Sequence, residues 1–195
     1  MTLGYAIVAL AGVVTLVAAL GFLHVAPTGL SAVRDPVSGY ALTRYRPAYA
    51  LAAGAAAVAG LAVALLVSGV PGTSASVGLL FTFAAARALI PVFPMDAPGS
   101  ERSTSGRVHS VLATLAFATV TASAFLASWP LAVAGEHLLS AVSSTAGVVM
   151  AVGCAVVIAG HSHPGPRRWF GLAERLIYLG FIGWFASVAI SLGLP

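Results

Sequence analysis

Three clusters of ionisable residues stand inside or beside long apolar runs, and each has a spacing that could place it on one helical face or in one loop. The last run begins GLAERLIYLGFIGWF, in which Glu174, Tyr178, Phe181 and Phe185 recur at i, i+4, i+7 and i+11 and so share a face, a carboxylate above an aromatic wall. Arg175 is turned about 100° from that face. Trp184, in the middle of the run, is too deep for an interfacial residue and is expected to pack inside. A second cluster, FPMDAPG followed by GRVHSVLATLAF, carries Asp96, Arg107 and His109 on either side of a short loop. Pro91 and Pro94 should end the preceding helix there and leave backbone carbonyls unpaired near Asp96. The third is Arg87 in TFAAARALIPVF. Its guanidinium either snorkels to a boundary about two turns away or serves as the counter-ion of a carboxylate or phosphate, for which its planar fork of donors is suited.

The chemistry these residues suggest is proton transfer to a hydrophobic substrate. A carboxylic acid held in an apolar pocket stays protonated near neutral pH and can give its proton to an alkene or epoxide, while aromatic faces stabilise a cation without quenching it. Asp96 or Glu174 would be the general acid, with His109 beside them. Tyr178, Phe181, Trp184 and Phe185 would line the cavity, and Arg87, Arg107 or Arg175 would hold an anionic head group. The expected activity is that of a membrane-embedded enzyme acting on a lipid or isoprenoid, terpene-cyclase-like, with no cofactor and no metal. The competing readings are plainer: Asp96 and His109 cap helix ends, and Phe181 and Phe185 are packing. A carrier or binding protein for a lipid or small ligand is the functional alternative. Haem or quinone binding through His24, His109 and His137 is a third, but their expected depths do not pair them as axial ligands. Glu136 and His137, with Ser140 and Ser144 on the same face, read as a cap and interhelical hydrogen bonds. The H-x-H of His161 and His163 is too few ligands for zinc.

The elements that must position these residues follow from composition. Of 195 residues, 59% are hydrophobic and 7% charged, against roughly 25% charged in a soluble domain. The apolar residues come in uninterrupted runs close to the ~20 needed to span hydrocarbon as a helix. Continuous runs exclude a membrane barrel, whose strands alternate. The fold expected is an all-α, six-span transmembrane bundle forming one domain, with spans at about 3–24, 47–70, 76–93, 108–129, 137–160 and 171–192. The first run lacks a positive n-region and is expected to stay as a span. Glycine and alanine at four-residue spacing, as in LAAGAAAVAGLAVA, let backbones approach closely. The lone Cys154 lies in an apolar run and reads as a small packing residue.

The cationic residues are nine arginines; they are sparse, and the seven outside the apolar runs fall in alternate loops, which is membrane topology and excludes nucleic-acid binding. Arg34, Arg44 and Arg46 fall in the first connection, Arg102 and Arg107 in the third, Arg167 and Arg168 in the fifth. By the positive-inside rule these face the cytoplasm of a multi-pass cell-membrane protein, with both termini outside. Tyr40, Tyr45, Tyr49, Trp129 and Trp169 are expected as an interfacial belt.

The succession RDPVSGYAL, FPMDAPG, GRVHSVLATLAF and GLAERLIYLGFIGW resembles an integral membrane family catalogued as a domain of unknown function, DUF998, itself distantly similar to Frag1 and DRAM-like six-span proteins. The resemblance covers nearly the whole chain and is most specific from FPMD to RVH. It implies the six-span fold and marks Asp35, Ser38, Asp96, His109, Glu174 and Arg175 as signature positions, without implying a reaction.

Overall fold

The structure is a computed structural model that describes residues 1–194. Six helices are long and apolar enough to cross a membrane: α1 (Thr2–Val25), α2 (Arg46–Val67), α3 (Ser74–Leu89), α4 (Thr104–Val133), α5 (His137–Ser162) and α7 (Phe170–Gly193). A one-turn helix, α6 (Pro164–Arg167), precedes the last span, and 3-10 turns occupy Val37–Leu42 and Ile90–Val92. The all-α, multi-pass bundle expected from the apolar runs is the architecture found. Each helix packs on the next from α1 to α5, and α7 closes the ring by packing on α5, α1 and α2, touching α4 as well.

The ends of the spans have local causes. α4 is a full turn longer than predicted at each end. It starts early because Ser103 caps it, its Oγ accepting from Gly106 N at 3.0 Å. It runs through Pro130, which gives up the helical hydrogen bond to Leu126 O, and stops where Gly135 takes φ +88°. α3 ends as its prolines dictate, and three carbonyls of the segment after it are answered by side chains. Pro91 O accepts from Arg46 Nη2 at 3.3 Å, Phe93 O from His109 Nδ1 at 2.8 Å, and Pro94 O from Ser105 Oγ at 3.0 Å.

Lipid tails are as apolar as leucine, so the helices are held by close packing and a few polar contacts. Gly12 of α1 lies against α2, where an added Cβ would stand 3.0 Å from Ala55 O and from Ala59 Cβ. Gly153 of α5 lies against α7, where a Cβ would stand 2.7 Å from Ala173 O and from Ile177 Cγ1. Ser76 Oγ and Ser123 Oγ, 2.7 Å apart, join α3 to α4, and Trp184 Nε1 donates to Ser143 Oγ at 2.8 Å to join α7 to α5. The interhelical hydroxyl of α5 is thus Ser143, one position from the face expected through Ser140 and Ser144. Trp129 and Trp169 are exposed at span ends as a belt requires, but Tyr40 and Tyr49 are buried to 1% and 2% exposure and belong to the core.

Because Gly153 leaves no room on its inner side, Gly153→Val should lower stability by about 1–3 kcal/mol, while Gly54→Val, at a position where an added Cβ meets nothing within 4 Å, should leave it unchanged. Thermal unfolding of both variants in detergent checks the pair. Equal melting temperatures would show that the α5–α7 contact does not limit stability.

Candidate functional site

The first connection folds back over the start of α7 and is fastened there. Gly171 makes the approach possible: a Cβ on it would lie 2.5 Å from Asp35 O and 2.8 Å from Ala32 O. Leu172 N donates to Val33 O at 3.0 Å. Val37 N donates to Glu174 Oε2 at 2.5 Å. Arg175 does the most, its Nε donating to His24 Nε2 at 2.7 Å, its Nη1 to Asp35 O at 3.1 Å and Gly171 O at 2.9 Å, and its Nη2 to Tyr40 OH at 3.2 Å. His24 completes the chain by giving its Nδ1 proton to Leu20 O at 2.6 Å, so both of its nitrogens are spent on structure.

Beside this clasp, a cavity of about 620 Å³ runs between α4 and α5. Its polar end is formed by Ser38, His109, Ser110 and Glu174, and its walls continue past Phe117 and Cys154 to Phe125. From His109 to Phe125 α4 rises about 24 Å, most of the depth of the hydrocarbon. The space exists because, around Phe117 and Phe125, α4 presents small side chains: Ala113, Thr114, Ala118, Thr121 and Ala122. Their polarity is partly masked: Thr121 Oγ1 donates to Phe117 O at 2.7 Å and Ser110 Oγ to Gly106 O at 2.9 Å, each bonding back to its own helix.

Glu174 and His109 are each half used by the fold. Glu174 Oε2 is taken by Val37, and His109 Nδ1 by Phe93. Among the described residues the only sealed polar side-chain atoms without a partner are Arg87 Nε and Nη2. The remaining oxygen of Glu174 and Nε2 of His109 are therefore not sealed, and both residues line the cavity. With Nδ1 donating to a carbonyl, His109 Nε2 carries the lone pair. One wall thus offers an acid group and a base group to the same occupant.

The other residues named from sequence lie elsewhere. Asp96 is half-exposed and caps α4 through Ser103, its Oδ1 accepting from Ser103 Oγ at 2.6 Å and its Oδ2 from Ser103 N at 3.2 Å. Gly106 lies so close that an added Cβ would overlap this carboxylate. Asp96 does not line the cavity, so the capping reading holds for it. Arg107 is exposed and outside the cavity wall, and Arg175 serves the clasp. Phe181 and Phe185 do share a face with Glu174, but deeper in the bundle that face meets Phe83, with ring centroids 5.4 and 5.6 Å apart, and Trp184 packs beside Phe185 at 5.6 Å. All three are fully buried core residues. The aromatic rings that line the cavity are Phe117, Phe125 and Phe170, which the helical spacing from Glu174 could not indicate because two of them come from another span. Arg87 does not snorkel. It is 2% exposed, with its guanidinium carbon 5.2 Å from the centroid of Tyr178. Tyr178 in turn meets Phe117 at 6.2 Å, so two rings separate Arg87 from the cavity. His161 Nδ1 pairs with Val157 O at 2.8 Å, and among the described residues no three His, Cys, Asp or Glu side chains gather as for a metal.

A family model described as a protein of unknown function, DUF998, matches residues 10–191. The chain belongs to this family. No curated protein and no solved structure matches it. The positions that the sequence resemblance singled out acquire local meanings from the geometry. Glu174 and Arg175 form the clasp, Asp96 the cap of α4 and His109 the tie to α3, while Ser38 Oγ donates to Met95 Sδ at 3.2 Å beside the cavity.

Arg175→Met should cost about 1–3 kcal/mol, because it strands the carbonyl of Asp35 and the acceptor nitrogen of His24. It should also open the first connection to protease well below the melting temperature. Limited proteolysis and thermal unfolding in detergent check this. A variant as stable and as resistant as the parent would mean that the clasp is dispensable.

Proposed function

We propose that the protein is a membrane-embedded enzyme that takes an elongated lipid or isoprenoid into the cavity between α4 and α5 and acts on it by proton transfer. The observation that carries this reading is that a single, otherwise apolar cavity presents one carboxyl oxygen, from Glu174, and one imidazole nitrogen, from His109, at its polar end. The second-ring contacts support the choice of a cationic intermediate, since Phe117 offers its ring to the cavity with Tyr178 behind it.

In this mechanism Glu174 gives its carboxylic proton to one carbon of a substrate double bond. The π pair forms the new C–H bond and leaves a cation on the neighbouring carbon. Loss of an adjacent C–H proton to the lone pair of His109 Nε2 then forms a double bond again, shifted along the chain or in a ring. Return of the proton from His109 to Glu174 closes the cycle, so the net reaction is an isomerisation and needs no oxidant. By the distribution of arginines we orient the molecule with its first, third and fifth connections toward the cytoplasm. α1 and α7, which meet where Ala6 packs on Gly193, then place both termini on the other side.

Glu174→Gln keeps an acceptor for Val37 N and removes only the acidic proton. In nanodiscs supplied with polyprenyl substrates it should retain binding and lose turnover by about 10²–10⁴-fold, and His109→Gln should fall similarly. Ala118→Trp, which fills the cavity, should abolish binding itself. Full turnover in both acid-base variants would overturn the mechanism. Wild-type protein that binds such molecules and releases them unchanged would establish the carrier instead.

A further inference from the structure

The apolar cavity has a polar neighbour. A second depression of about 620 Å³ is lined by Arg34, Arg102, Arg167 and Arg168, with Asp35 as its acidic member. It shares Pro36, Met95, His161 and Phe170 with the apolar cavity, so the two spaces adjoin along a common wall. The four arginines come from three connections far apart in sequence. Loop charge that served topology alone would need no common focus, and Arg44, Arg46 and Arg107, on the same connections, stand outside this depression. Arg44, Arg46 and Arg175 spend guanidinium groups on Tyr45, Pro91 O and His24, and Arg168 lies over Trp169 with its guanidinium carbon 5.5 Å from the ring centroid, whereas Arg34, Arg102 and Arg167 are exposed and make no side-chain hydrogen bond among the described residues. The one carboxylate is already engaged locally, Asp35 Oδ2 accepting from Ser31 N at 2.6 Å.

Planar guanidinium forks match the oxygens of a phosphate two at a time, and four of them exceed what a single carboxylate can use. The tail side complements this: a volume of 620 Å³ spread over the rise of α4 gives room for an extended hydrocarbon chain. We infer that the cavity and the vestibule together form the binding site of a single-chain amphiphile bearing a phosphate or diphosphate, its chain between α4 and α5 and its head among Arg34, Arg102, Arg167 and Arg168. This rests on the cavity reading of the proposed function and adds the class of substrate.

The test compares geranylgeranyl diphosphate, geranylgeraniol and inorganic pyrophosphate, titrated against the full chain in phosphatidylcholine nanodiscs. The diphosphate should bind more tightly than the alcohol by on the order of tenfold or more, an advantage that shrinks as salt rises. Arg167→Gln with Arg168→Gln, and separately Arg34→Gln with Arg102→Gln, should each erase that advantage and leave binding of the alcohol intact. Equal binding of alcohol and diphosphate, or an advantage that survives both double variants, would overturn the vestibule while leaving the tail cavity standing. Pyrophosphate binding as tight as that of the amphiphile would make it a free-anion site, and full displacement by phosphatidylglycerol nanodiscs a membrane-surface patch; either refutes the inference. Failure of every prenyl compound to bind would refute the cavity and the vestibule together.

Discussion

Lipid supplies no hydrogen bonds, so a connection that lies against a bundle near the interface must have its backbone groups answered by protein. The first connection meets this requirement through one turn of α7. Val33 O, Asp35 O and Val37 N are each matched there, by Leu172 N, Arg175 and Glu174 respectively, and Gly171 lets the strand of chain come close enough for the matches to form. The mouth of the cavity depends on this contact. Pro36 and Ser38 can form its wall only because the segment that carries them is pinned on both sides.

The same economy appears at the other polar wall. Two prolines force α3 to stop at Leu89 and leave irregular backbone after it, in which Phe93 O is answered by His109. A residue so placed has its ring orientation and tautomer fixed by the fold, which is what an acid-base group needs if its second nitrogen is to face a substrate. Glu174 is placed in the same way by Val37 N. The structural and chemical readings of these two residues therefore do not compete, since each has one atom for either purpose.

The six spans were legible because hydrophobic length is all that a bilayer demands of a helix. Which face turns inward was not, since helices that are apolar all round carry little periodic signal. Phe181 and Phe185 illustrate the difference: their alignment with Glu174 is real, yet α7 passes from the cavity into the core within a turn or two, so the shared face meets two different surroundings. Asp96 was misleading for a related reason, because a carboxylate seven residues before a serine that caps a helix looks the same in sequence as one that opens on a pocket. The two residues at the polar end of the cavity, Glu174 and His109, stood out in the sequence by their rarity at membrane depth. The gathering of Arg34, Arg102, Arg167 and Arg168 was not, because it depends on three loops meeting in space.

Arg87 belongs to neither the clasp nor the cavity, and its position still bears on both. A guanidinium with two nitrogens unpartnered is costly in the interior, and a ring face such as that of Tyr178 returns about 2 kcal/mol of the several that desolvation takes. A fold that keeps such a charge gains a field that water does not screen, since the intervening Tyr178 and Phe117 are poorly polarisable compared with solvent. That field has the same sign as the vestibule beyond and opposes a cation at the polar end of the cavity, so a cation formed there relies on the ring of Phe117, which stands between it and Arg87.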